Sequence, residues 1–228
     1  MRRIVMIVLL ALVSGFLMAG PAVAAPARTD TGRNPVIFVH GRNAGPGVWD
    51  RMITDFESGG YSRDRLFAWS YDTTQSTNEV LADRLGSYVD EVLRTTGAQQ
   101  VDLVAHSLGG LPTRWYVAFG GGRQKVARWV SLAGPNHGTS VAYLCALWDQ
   151  GCRDMTPGSY VLSRLNGDDE TPGSVQYSTF WSACDEQITP TSSTALSGAV
   201  NVRTDCLKHN DLLTNSAVSS GVREALAG

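Results

Sequence analysis

V-D-L-V-A-H-S-L-G-G-L-P-T, residues 101–113, decides the fold. A short apolar strand runs straight into A-H-S-L-G, with Ser107 flanked two residues before and two after by Ala105 and Gly109, and then into the helical run L-P-T-R-W-Y-V-A-F. Strand, sharp turn and helix in this order lift a serine hydroxyl above a sheet edge, the setting of a nucleophile elbow. The turn presses its backbone against neighbouring strands, so the positions two before and two after the serine need almost no side chain. It also leaves the N–H of Leu108 facing whatever the Ser107 oxygen attacks. Pro112 must then sit in or near the first helical turn, where its missing N–H is not needed.

Upstream, N-P-V-I-F-V-H (residues 34–40) is a continuous apolar run that ends in the polar loop G-R-N-A-G-P-G. Such a run fits a strand buried on both faces of a mostly parallel sheet. Trp49, Met52, Ile53 and Phe56 then recur at helical spacing until Gly59 and Gly60 stop the helix. Residues 66–71 read as the next strand. Residues 76–96 form the clearest amphipathic helix, with Val80, Leu81, Leu85, Tyr88, Val89, Val92 and Leu93 on one stripe and Gly97 as its cap.

Downstream of the elbow, residues 125–132 read as a strand leading into G-P-N-H-G-T. Residues 135–173, rich in Gly, Pro, Asp and Asn, read as loops and short helices over the sheet. Residues 175–181 and 200–204 are the last strands, and a helix over about 212–226 closes the chain. Alternating strands and helices predict an α/β doubly wound fold with a mostly parallel central sheet and helices on both faces. Ligands of such sheets sit beyond the carboxyl ends of the strands, and every polar loop above follows a strand.

The 228 residues, 43% hydrophobic and 18% charged, suit one domain with a full core. Residues 1–25 stand apart. Arg2 and Arg3, an apolar run over residues 4–18 and A-V-A-A at residues 22–25 make the pattern of a secretory signal peptide, leaving residues 26–228 as a single domain. The run is shorter than the about 20 residues of a comfortable membrane span. Cleavage removes two arginines and no acid, so the formal charge of -2 becomes -4. A mildly acidic protein has no electrostatic reason to bind nucleic acid. Cys145, Cys152, Cys184 and Cys206 are an even set in an exported chain without zinc-like spacing, which points to disulfides. Of the three pairings, Cys145 with Cys152 and Cys184 with Cys206 each close a loop within one region.

A serine becomes nucleophilic when a base takes its proton, and the base is held in one tautomer by a carboxylate. On this architecture the chain order is serine, acid, histidine. His40 and His106 precede or adjoin the serine, and His137 follows it too soon for an acid strand to intervene. His209, after the last strand, is the candidate base. S-A-C-D-E follows the strand over 175–181, which makes Asp185 the candidate acid and Glu186 its first rival. Asp205 and Asp211 read as turn caps, and Asp149, Asp154, Asp168 and Asp169 as solvated. The second oxyanion donor is expected from the loop after the first strand, as the N–H of Arg42, with Gly41 letting the chain turn. The spacing does not say whether the Arg42 guanidinium is a surface charge or a contact over the site.

N-P-V-I-F-V-H-G, V-D-L-V-A-H-S-L-G-G, A-G-P-N-H-G-T, W-S-A-C-D and K-H-N-D-L-L together resemble the small secreted bacterial triacylglycerol lipases of the α/β-hydrolase superfamily, across residues 34–226. The resemblance implies a compact α/β-hydrolase fold with little or no lid. It implies Ser107 as nucleophile, Asp185 as acid, His209 as base and the N–H groups of Arg42 and Leu108 as oxyanion hole. No cofactor or metal is expected. Ala105 stands where many hydrolases carry glycine, but alanine also occurs there in these lipases. Arg42 departs from the apolar residue usual at its position.

These expectations amount to a secreted, extracellular, monomeric serine esterase or lipase that cleaves lipid esters through an acyl-enzyme and touches a lipid interface transiently. Polyesters, acetylated glycans and cell-envelope lipids are alternative substrates for the same triad, and a non-catalytic binder on the same fold is the alternative of another class. Trp49, Leu108, Leu144, Leu147 and Trp148 are candidates either for the surround of the site or for the core.

Overall fold

A computed structural model describes residues 32–74 and 77–227. The segment read as a signal peptide and Ser76, where the sequence begins the second helix, lie outside the described residues. Six strands, β1 (Val36–Val39), β2 (Leu66–Trp69), β3 (Val101–His106), β4 (Val126–Leu132), β5 (Gln176–Trp181) and β6 (Val200–Arg203), form one sheet in the order β2-β1-β3-β4-β5-β6. Every pairing is parallel. The chain passes from β1 to β2 on one side and then to β3 on the other, so the direction of winding reverses between β1 and β3. A crevice opens at such a reversal, beyond the carboxyl ends of the strands.

Alternation along β1 feeds two cores. Val36 and Phe38 pack with α1 (Asp50–Ser58) and α6 (Ser216–Ala225), whereas Ile37 and Val39 pack with α2 (Asn78–Thr96) and α3 (Gly110–Phe119). Helices therefore cover both faces, as the unbroken apolar runs predict. In α1, Met52, Ile53 and Phe56 are buried at helical spacing. In α2 the buried stripe is Leu81, Ala82, Leu85, Val89 and Val92; the helix starts on Thr77, whose side chain accepts the Val80 N–H, and ends on Gly97 at φ 67. Val80 does not belong to that stripe, being 43% exposed at the edge of the apolar arc. Each large aliphatic side chain buried this way contributes about 1.5–3 kcal/mol.

A third cluster caps the rim. Leu108 and Leu111 pack under Ala142, Met155, Val161 and Leu162, carried by a short turn over Ser140–Leu144 and by α4 (Gln150–Met155) and α5 (Tyr160–Leu165). The closing helix is shorter than its apolar pattern: His209–Leu213 is a separate turn, and Asn215 accepts the N–H groups of Ala217 and Val218 to start α6 afresh.

Cys145 is bonded to Cys152 and Cys184 to Cys206, separations of 7 and 22 residues, which on the chain-entropy model are worth about 2 and about 3 kcal/mol. Asp149 and Asp154 are buried, against the expectation that they are solvated. Asp149 caps α4 by accepting the Cys152 N–H, and Asp154 accepts from both the backbone and side-chain nitrogens of Asn78. These donors offset part of the cost of burial, although at Asp154 burial still outweighs them and raises the carboxyl pKa. Trp49 and Leu108 are fully buried core, while Leu144, Leu147 and Trp148 are neither core nor cleft wall but 76%, 88% and 71% exposed.

Candidate active site

Ser107 follows β3 directly and holds φ at 53°, a region that side chains other than glycine seldom occupy. Strain of this kind is kept only where surrounding structure enforces it. Here the enforcement is close packing. A Cβ on Gly109 would stand 2.6 Å from both the Val39 and His40 carbonyl oxygens, and Ala105, wholly buried, pairs with Val39 and Ser131 in the middle of the sheet. Pro112 takes the third position of α3, within its first turn.

The loop after β1 lies against this elbow. A Cβ on Gly41 would come within 2.9 Å of the Ser107 Cβ, so the chain passes there only as glycine. Asn43, at φ 54°, donates its N–H to the hydroxyl of the buried Thr73. Arg42, between them, sends its side chain to Asp149, with Nε donating to Oδ2 at 2.7 Å. The guanidinium is thus an ion-pair partner at the mouth of the cleft rather than a free surface charge. Thr73 and Asp149, which hold this loop, escaped the sequence reading; only D-Q-G-C, an aspartate three residues before Cys152 at a helix start, signals the cap.

Asp185 and His209 meet although 24 residues separate them. Nδ1 of His209 lies 2.8 Å from Oδ2 of Asp185, and both side chains are only 2% exposed. Oδ1 accepts the N–H groups of Gln187 and Ile188. Burial acts to raise the Asp185 pKa, but the His209 hydrogen bond and charge and these backbone donors outweigh it and hold the carboxyl below its ordinary value. An ionised carboxylate can only accept, so Nδ1 carries the ring proton and donates it in this hydrogen bond, leaving Nε2 as the basic nitrogen of the neutral ring.

Glu186, the rival acid, serves a different atom: its Oε2 accepts the backbone N–H of His209. Asp211 caps the turn by accepting the Lys208 N–H. Ser182 Oγ accepts N–H groups from Cys184 and Leu207, so it and the Cys184–Cys206 bond tie together the loops that carry Asp185 and His209.

The other histidines divide as follows. His106 is buried against His209, ring centroids 4.7 Å apart, and its Nε2 is 3.2 Å from the His209 carbonyl. Burial and the nearby His209 lower its pKa to about 3, so the ring is neutral and donates from Nε2. His40 stacks on Tyr71 at 4.4 Å, with its pKa lowered by burial. His137 pairs with Glu170 at 2.7 Å, away from the cleft.

Ser107, His209, Arg42 and Gly41 all line one cleft of about 670 Å³. Val48, Val141, Ala142, Met155, Ile188 and Leu213 form its apolar wall, and Asn43, Thr139, Gln187, Asn210 and Thr214 its polar one. A cleft with a strained serine, a carboxylate-oriented histidine and two backbone turns at a winding reversal has the parts needed for nucleophilic acyl transfer.

Residues 33–223 match the model of the family described as Lipase (class 2). The chain is 32% identical over 135 residues to a triacylglycerol lipase of Burkholderia plantarii, covering 55% of this chain and 36% of that protein. It is 37% identical over 65 residues to one of Pseudomonas fragi, covering 28% of this chain and 22% of the relative. The match therefore spans well under half the length of either relative. Among solved structures, a Bacillus licheniformis lipase in its mature form superposes with a TM-score of 0.74 at 18% identity over 89% of this chain and 95% of that one. Aspergillus fumigatus lipase B gives 0.72 at 18% identity over 87% and 54%, and a Rhodococcus esterase 0.61 at 13% over 87% and 92%. At these identities the structural likeness concerns the fold.

Proposed function

The chain belongs to the class 2 lipase family, and from that premise we propose that it hydrolyses the carboxylic esters of lipids through an acyl-enzyme on Ser107. Ser107 Oγ attacks the ester carbonyl while His209 Nε2 takes its proton. The oxyanion accepts hydrogen bonds from the N–H groups of Arg42 and Leu108. His209 then returns the proton to the departing alcohol, and water, activated by the same nitrogen, releases the acid. Asp185 stays ionised throughout, fixing the tautomer and stabilising the imidazolium. The observation that carries this reading is the 2.8 Å Asp185–His209 pair buried behind a cleft that Ser107 also lines.

Lipid as substrate is supported by exposed apolar side chains in the segment that borders the cleft. Tyr143, Leu144, Leu147 and Trp148 are all more than half exposed beside Val141, Ala142 and Cys145, which line it. Apolar side chains crowded at one mouth are suited to transient contact with a lipid surface. The leader-like pattern of residues 1–25 and the two disulfides support an exported, extracellular enzyme.

The test is hydrolysis of chromogenic esters of increasing acyl length by the wild type and by Ser107→Ala. Turnover that extends to long chains and falls at least about a thousandfold in the variant is the expected outcome. Equal turnover by the two proteins would rule the mechanism out.

A further inference from the structure

We infer that the Arg42 guanidinium is a subsite for a phosphodiester next to the scissile ester, making glycerophospholipids the preferred substrates; this rests on the ester-hydrolase reading of the cleft. Among the described residues lining the cleft, Arg42 alone carries a permanent charge, and none is acidic. Asp149 lies behind it, its side chain 4% exposed against 28% for Arg42. One Asp149 oxygen is fixed by the Cys152 N–H at the start of α4, and the other receives Nε of Arg42 at 2.7 Å. Among the described residues, the bonds of this guanidinium end there. The arginine is oriented through one nitrogen, and its two Nη groups remain for a ligand.

Two parallel donors of this kind match the oxygens of a phosphate better than any single neutral group. Position sharpens the match. The backbone N–H of Arg42 faces the oxyanion, so its side chain reaches only as far as groups attached close to the reacting ester. In a glycerophospholipid the phosphate hangs from the carbon adjacent to an esterified one. In a triacylglycerol that place holds a third neutral ester, which leaves the cation without a partner. The formal charge of the chain, -2, gives no general attraction for anions, so any preference must arise locally.

The experiment compares dihexanoyl-phosphatidylglycerol with dihexanoylglycerol, both dissolved below their aggregation limits, for the wild type, Arg42→Lys, Arg42→Gln and the double variant Arg42→Gln, Asp149→Asn. The double variant leaves no unpaired buried carboxylate. The readout is the ratio of the two kcat/KM values within each protein, so a general loss of activity or stability cancels. The wild-type ratio is expected to favour the phospholipid by about tenfold or more, the lysine variant to keep most of that, and both glutamine variants to bring it near unity. Added salt should shrink the wild-type preference. A wild-type ratio near unity, or one unchanged by Arg42→Gln, overturns the inference while leaving the hydrolase reading intact. Inhibition of the neutral ester by inorganic phosphate without any phospholipid preference overturns it as well, since the cleft then takes a free anion. Hydrolysis of neither ester would bring down both.

Discussion

His106 and His209 are joined twice: the Nε2 of the first lies 3.2 Å from the carbonyl oxygen of the second, and their rings tilt against each other with centroids 4.7 Å apart. The residue just before Ser107 thus holds the turn that carries His209, 103 residues away in sequence.

That arrangement makes stability depend on pH. The His106 pKa falls from 6.5 to about 3 on folding, by burial first and by the nearby His209 second. Between those values the unfolded chain binds the proton that the folded one excludes. The contribution is therefore complete above 6.5 and lost as pH falls towards 3. Urea unfolding of the wild type should weaken across this window with a slope containing about 1.4 kcal/mol per pH unit from this one group. His106→Asn should be flatter by up to that amount. Parallel slopes in the two proteins would show that His106 is not the group responsible.

Asp185→Asn and Glu186→Gln separate two neighbouring carboxylates. Asp185 meets the ring of His209 and Glu186 only its backbone N–H. The first substitution should lower kcat by about 10³–10⁴ with KM little changed, because the wrong tautomer is held. The second should cost less than about tenfold, the scale of one partly exposed hydrogen bond. Steady-state kinetics on a soluble ester decides; the reverse ranking would assign the acid to Glu186.

Gly109→Ala and Gly110→Ala test the elbow. A Cβ at 109 meets two backbone carbonyls at 2.6 Å, while one at 110 meets nothing closer than the Ser131 Oγ at 3.4 Å. The first variant should lose about 1–3 kcal/mol or more, or fail to fold, and the second should stay near wild type. Thermal unfolding of both reads this directly.

Much of this was legible because it is local. The strand-turn-helix around Ser107, the paired faces of α1 and α2, and the Gly97 cap all follow from residue types at fixed offsets. The parallel sheet follows from strands that alternate with helices, with the unbroken apolar run of β1 among its interior strands. What was not legible depends on partners distant in sequence. Nothing in the composition around Asp149 announces an arginine 107 residues earlier, nor around Asp154 an asparagine 76 residues earlier. Val80 and the apolar residues 144, 147 and 148 show the converse: hydrophobicity alone does not say which side chains find a partner. Adjacent Asp185 and Glu186 could be ranked but not distinguished until the atoms they bind were known.

Leu147→Ser and Trp148→Ser address the exposed apolar mouth. Each side chain is largely bare of protein contact, so stability should change by less than about 0.5 kcal/mol. The ratio of activity on an emulsified long-chain ester to that on a dissolved short-chain one should fall severalfold, in line with the apolar area withdrawn from the lipid surface. An unchanged ratio in the double variant would mean that these residues do not touch the aggregate.

If Ser107 is a nucleophile driven by His209, a fluorophosphonate should label it covalently. Mass spectrometry of the digested protein should find a single adduct on the peptide containing Ser107, absent in Ser107→Ala and formed far more slowly in His209→Ala. An adduct on another residue, or labelling as fast without the imidazole as with it, would contradict the account.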